Sequence, residues 1–242
     1  MCGFTWFLIS TFALKIWASS TARRGALLQE KFDTALFHLP WRCAVAGDPV
    51  ADHDVFRLAR GLKQGGTRDQ RITSGWYDPT TGVHHPYDVL IAQEQNLAWD
   101  VRLRRTYSNW VVAAAILWAV IGLLAGLLID ATVVQTLLSF FIPPVAAFQL
   151  AQEIWAGQRR VASERERLSR LVQAELSNAK AGPIPDDDRR RLRETARDIQ
   201  DGIFRTRLDA ARVPEWFYRR HRDTEEHDFA STAEGHRRRL PG

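Results

Sequence analysis

Cysteine is nearly absent from this chain: Cys2 and Cys43 are the only two in 242 residues. Two thiols cannot build a disulfide framework, and no Cys-x-x-Cys pair or Cys/His spacing is present to close a zinc site. The pattern fits soluble segments in a reducing cytoplasm. Also missing are a phosphate-cradling glycine loop (Gly61, Gly65 and Gly66 lack a following Lys-Ser/Thr), a Gly-x-Ser-x-Gly elbow and a His-Glu-x-x-His helix. Asp52-His53-Asp54 and His84-His85 carry ligand-type side chains, but adjacent ligands in polar loops usually hold no metal. An enzyme reading thus lacks a nucleophile, a metal site and a cofactor loop, and neither catalytic residues nor a cofactor are expected. No run of alternating strand pattern and no periodic repeat is present.

Charge is missing from one long stretch. Between Trp110 and Ala151 the single formal charge is Asp130. Residues 110–129, WVVAAAILWAVIGLLAGLLI, are apolar throughout, and at about 1.5 Å per residue they cover about 30 Å, the hydrocarbon thickness of a bilayer. Asp130-Ala131-Thr132 is a short polar break, and residues 133–151 suffice for a second crossing. So short a link makes the two helices antiparallel neighbours. Arg102, Arg104 and Arg105 precede the first span and Arg159 and Arg160 follow the second, which places both outer ends in the cytoplasm and Asp130 on the far side. Trp110 and Trp155 fall at the expected interfaces.

The two spans differ. Thr132, Gln135, Thr136, Ser139, Ala146 and Gln149 recur at helical steps and are expected to share one face of the second, as a pore lining or a packing surface. Pro143 and Pro144 remove two helical donors and free the carbonyls of Ser139 and Phe140, which protein or water must then satisfy. Gly122 and Gly126 give the first span a small-residue spacing that permits close helix approach.

The N-terminal run, residues 2–18, is apolar but short, with Lys15 inside it and Arg23 and Arg24 after it. Positive charge behind the apolar run is the reverse of a secretory signal. Residues 1–18 read as a marginal third span or the surviving end of a hairpin, against an amphipathic interfacial segment. Residues 19–109 and 152–228 are expected to be mainly helical cytoplasmic regions. Leu27, Leu28, Phe32, Leu36 and Leu39 give helical spacing up to Pro40, residues 52–64 form a second helix, and a third runs from Pro86 into the first long span. Ile154, Val161, Leu168, Leu171, Val172 and Leu176 continue the second span as a narrow apolar stripe. After the break at Gly182-Pro183-Ile184-Pro185, Asp186 to Asp188 suit the positive start of a helix whose apolar face is Leu192, Ala196, Ile199 and Ile203. Residues 229–242 read as a disordered basic tail. The fold class is therefore an all-α membrane protein: a transmembrane helical hairpin, one marginal N-terminal span and helical cytoplasmic regions.

Lysine occurs only four times, so the net charge of +5 rests on arginine. Positive residues beside a span are the ordinary mark of cytoplasmic loops. Arg189 to Arg191 and Arg219, Arg220 and Arg222 could hold phosphate, though such clusters are more often a solvated face or a contact with lipid headgroups.

Several segments together resemble a known family: Phe32 to Trp41 (FDTALFHLPW), Gly75-Trp76-Tyr77-Asp78, Tyr87 to Asn96 (YDVLIAQEQN) with Trp99-Asp100, Ile199 to Arg205 (IQDGIFR), and Val213 to Tyr218 (VPEWFY). In that order around an apolar hairpin they are similar to the S-4TM family, the four-transmembrane effectors associated with bacterial nucleotide-second-messenger synthases. The resemblance covers most of residues 20–228. It implies antiphage defence in which a cyclic-nucleotide signal triggers a pore or membrane disruption, with the bilayer and further copies of the chain as partners and no nucleic acid. It carries over no catalytic residues. The family has two spans before the first soluble region, where this chain has room for one. Within that reading, Gln135, Thr136, Ser139, Pro143, Pro144 and Gln149 are candidates for lining or packing. Gly122 and Gly126 are candidates for helix packing, and Arg205, Arg207 and Arg212 for contacts to an anionic ligand. The alternative is a membrane-anchored scaffold or signal-binding protein without pore activity.

Overall fold

The computed structural model describes residues 14–61, 77, 82–179, 182–209, 213–218 and 220, and these are almost entirely helical. The helices are α1 (Leu14–Leu36), α2 (Cys43–Ala46), α3 (Asp52–Ala59), α4 (Tyr87–Leu128), α5 (Val133–Thr136), α6 (Val145–Ser177) and α7 (Asp186–Asp209). A π-helical turn, Leu137–Phe141, continues α5. Most of the marginal N-terminal span, the Gly75-Trp76 pair, Arg212 and the basic tail lie outside the described residues.

Two compact units divide the chain. The first takes the chain as far as Gln95 together with Leu168–Leu208. Its interior holds Leu90, Val172, Leu192, Ala196, Ile199, Ile203 and Phe204, all with almost no exposed surface. The apolar face expected for α7 is thus the buried one. Each such leucine, isoleucine or phenylalanine contributes about 1.5–3 kcal/mol by leaving water. At Gly202 an added Cβ would stand 2.7 Å from Leu168 Cδ1, so the Leu168 side chain would have to shift to admit one.

α1 departs from its expected face. Phe32 and Leu36 of the apolar stripe are 47% and 46% exposed, while Glu30, Asp33 and Thr34 are buried beside Ala26 and Phe37. The carboxylates turn inward because cationic and amide partners on α7 await them. The helix closes at His38, which takes the left-handed conformation (φ 53°), with Leu39 N–H donating to Thr34 O at 3.0 Å.

The second unit comprises Asn96–Arg167 and Asp209–Phe229. α4 is long and apolar enough to cross a membrane, and α5 with its π turn and α6 would make a second span if that bent pair is one crossing. The axis bends by 62° between Phe141 and Val145, because consecutive prolines remove two donors there. Gln135 and Gln149 therefore lie on either side of the bend and do not continue one straight face.

Candidate functional site

In the second unit the two apolar segments run antiparallel. α4 ends in a Schellman turn: Ala131 N–H donates to Gly126 O (2.9 Å) and Asp130 N–H to Leu127 O (3.3 Å), with Asp130 left-handed at φ 51°. Thr132 then caps α5, and Gln135 reaches back to accept from the Thr132 N–H at 2.9 Å. Gln135 is therefore occupied as a cap partner. An added Cβ at Gly126 would stand 2.7 Å from Thr136 Cγ2, and one at Gly122 would stand 3.1 Å from Phe140 Cβ. The glycine face thus lies against the second apolar segment of the same chain. Trp118 Nε1 donates to Phe140 O at 3.2 Å, which satisfies one of the carbonyls that the prolines free. Ser139, Pro143 and Gln149 are exposed, and Pro144 is half-buried.

The arginines at the polar end of this pair do more than carry charge. Arg104, buried, pairs with Asp100 on its own helix and donates to Gln158 Oε1 on α6 at 2.6 Å. Arg165 binds Asp100 at 3.0 Å, Arg105 binds Glu166 at 2.6 Å, and Arg159 donates to Asn109 at 3.0 Å. Residue 100 faces 165, 104 faces 158, 118 faces 140 and 126 faces 136, one antiparallel register over the whole length. Trp99 and Tyr107 meet Tyr218 and Phe217 edge to face, with centroids 4.7 and 5.2 Å apart.

In the first unit the distant motifs meet in one buried polar network. Arg197 donates to Glu30 Oε1 (2.6 Å) and to Asp201. Gln200 donates to Glu30 and to Asp33 (2.9 and 3.1 Å), and Gln93 donates to Ala196 O and Gln200 (2.8 and 3.2 Å). Arg207 and Tyr77 also reach Asp33 (2.8 and 3.0 Å). Arg42 bridges Asp198 and Asp201 (2.6 and 2.7 Å), and these carboxylates, Asp198 foremost, push its guanidinium above the ordinary range. Three buried polar atoms have no partner among the described residues: Gln93 Oε1, Arg197 Nη1 and Arg207 Nη1.

Beside this network runs a groove of about 330 Å³, lined by Arg42, Arg189, Arg190, Arg193 and Arg197. Asp186 and Glu194 also line it. Of the three arginines that the sequence nominated for an anion, Arg205 is exposed, Arg207 is held by Asp33 and Arg212 lies outside the described residues. The groove went unremarked in the sequence, although Arg189, Arg193 and Arg197 recur every four residues on one side of α7.

The family model described as the SMODS-associating 4TM effector domain matches residues 1–236, nearly the whole chain. The chain belongs to this effector family. A similar protein of Bacillus cereus (strain VD146), named "Probable CBASS effector molecule IK1_05631", is 23% identical over 221 residues, covering 89% of this chain and 70% of the relative. No solved structure matches the chain. In this SMODS-associated effector the motif segments contribute Asp33, Tyr77, Gln93, Gln200 and Asp201 to the polar network, and Trp99 and Tyr218 to the aromatic contacts. Among the described residues no group of three or more His, Cys, Asp or Glu is placed to hold a metal. Asp52 and Asp54 pair with Lys31 and Arg57 instead, and His85 faces Asp88 at 3.1 Å.

Proposed function

We propose that this chain is a pore-forming or membrane-disrupting effector of a bacterial antiphage system, set off by a cyclic-nucleotide-type signal. One observation carries the reading. Only 11% of the apolar window of α4 is buried within the chain, and Leu127, Leu128, Ile129, Val133 and Val134 are all largely exposed. A core helix of a soluble protein would be mostly buried. Each Å² of this surface held in water costs about 25 cal/mol, and an apolar patch of this extent marks a membrane or partner surface. Lipid removes the cost. Family membership supplies the effector role and the nucleotide class of the signal.

In this reading both outer ends face the cytoplasm at the inner membrane and Asp130 faces outward. A pair of helices cannot surround an aqueous path, so several copies must assemble. The polar groups left open to a lumen are Ser139 and Gln149, with the bend at Pro143 and Pro144 between them. Gly122, Gly126 and Thr136 lie in the contact between the two segments, and Gln135 caps α5. The test is dye release from liposomes containing the purified chain, with a panel of cyclic nucleotides. Leakage with one nucleotide and not others is expected, and it should be lost in Ser139→Ala/Gln149→Leu with insertion retained. Intact vesicles under every nucleotide would exclude the pore.

A second reading, a membrane-anchored scaffold or signal-binding protein, draws on the same geometry. With the glycine face and Gln135 engaged inside the chain, the apolar pair offers few groups for lining. Exchange of residues 110–151 for an unrelated apolar hairpin separates the two: an anchor keeps its function, a pore loses it.

A further inference from the structure

We infer that the arginine groove along α7 is a binding site for a small phosphate-bearing anion. The inference rests on the signal-triggered reading above only in assigning this anion the role of trigger; the site itself stands on its geometry. Arg189, Arg190, Arg193 and Arg197 project from successive turns of one side of α7, and Arg42 faces them from the residue that precedes α2. Five guanidinium groups and two carboxylates line this groove, and Glu30, Asp187, Asp198 and Asp201 pair with three of the five from its margin.

Arg197 distinguishes this groove from an ordinary solvated arginine face. Its side chain is 3% exposed, it lines the groove, and its Nη1 has no partner among the described residues. A buried guanidinium N–H that has given up water without gaining an acceptor is costly, and an oxygen brought into the groove would supply one. The outer arginines are held only loosely. Arg189 reaches Asp186 at 3.4 Å, Arg190 reaches Asp187 at 3.0 Å and Arg193 reaches the His38 carbonyl at 3.2 Å. Phosphate oxygens can displace such exposed contacts and accept paired N–H bonds from planar guanidinium forks. The volume, about 330 Å³, suits a small molecule and not a polymer, being near the lower end of the usual range of about 300–1,000 Å³.

Binding here has a consequence inside the unit. Asp201, nearly fully buried, accepts from both Arg42 and Arg197. An anion that draws these two cations toward itself weakens both of Asp201's ion pairs. The carboxylates of Glu30 and Asp33, joined through Gln200 to Gln93 on α4, must then rearrange. The site is thus wired to the helix that carries the apolar stretch, and a ligand shifts that helix only by binding one arrangement more tightly.

The experiment is titration calorimetry on the full chain in neutral detergent. The probes are inorganic pyrophosphate, a panel of cyclic mono- and dinucleotides, and micelles doped with phosphatidylglycerol. The site predicts saturable binding of at least one probe. Arg190→Glu/Arg193→Glu, both exposed positions, should weaken it about tenfold or more. Arg170→Glu, an exposed arginine of α6 outside the groove, should leave it unchanged, and circular dichroism should show all variants folded. Saturation by a nucleotide identifies a soluble ligand; saturation by the doped micelle alone identifies a lipid headgroup, the same chemistry from another source. Three results overturn the site: no probe binds the parent chain, Arg170→Glu weakens binding equally, or Arg205→Glu abolishes it while Arg190→Glu/Arg193→Glu does not. Dye release run in parallel keeps the two readings apart. Groove-dependent binding without leakage sinks the pore and spares the site. Nucleotide-triggered leakage that survives Arg190→Glu/Arg193→Glu sinks the site and spares the pore.

Discussion

At the residue scale, Arg197 is the most buried cation among the described residues. Its guanidinium neutralises Glu30 and Asp201 where water is excluded. Arg197→Ala leaves Glu30 without its cation and Asp201 with Arg42 alone, and removing one partner of a buried ion pair costs about 3–5 kcal/mol. Thermal unfolding in detergent should register a loss of that size; a loss typical of a surface substitution would refute the network. Asp52 behaves differently. The Lys31 ammonium, donating a hydrogen bond and adding its charge, holds this exposed carboxyl below the ordinary carboxylate range. A depressed folded-state value favours folding above the unfolded value of 3.8, and that increment is lost as the pH falls through the folded value. Asp52→Asn should therefore flatten a small acid-side decline in protection of the α3 amides, measured by hydrogen exchange. The sequence could not disclose Arg197's role, because its partner Glu30 lies 167 positions away and nothing local marks either as buried. For the same reason the apolar stripe of α1 misled: Phe32 and Leu36 look like a core face until the carboxylates opposite them find their cations.

At the element scale, what local pattern dictates was legible. The long apolar run of α4, the break at Gly182 to Pro185 and the face of Leu192, Ala196, Ile199 and Ile203 follow from periodicity and from proline and glycine placement. The bend in the second apolar segment was half legible. Pro143 and Pro144 announce two lost donors, but the π turn ahead of them and the Trp118 indole on the Phe140 carbonyl depend on the neighbouring helix. Likewise Arg104 reads in sequence as a charge flanking a span and proves in space to tie α4 to α6 through Gln158, with Arg165 of α6 joining it at Asp100. The glycine spacing yields a direct test. A methyl group at residue 126 meets Thr136, so Gly126→Ala should destabilise the pair by about 1–3 kcal/mol, the usual cost of overpacking. Thr136→Ala in the same chain removes the nearest atoms and should restore part of it. If Gly126→Ala is neutral in detergent unfolding, the close approach of these helices is not as described.

At the scale of the whole molecule, this effector carries two compact units in one polypeptide. The first unit concentrates charge in a buried, hydrogen-bonded network with an arginine-lined groove beside it. The second leaves its apolar stretch largely uncovered within the chain, the mark of a membrane or partner surface. That the uncovered stretch lies in lipid is the claim on which the functional reading depends. Alkaline carbonate washing of membranes from cells making the intact chain tests it most directly. The chain should stay with the membrane pellet and leave it only on addition of detergent. Its recovery in the washed supernatant would contradict the account.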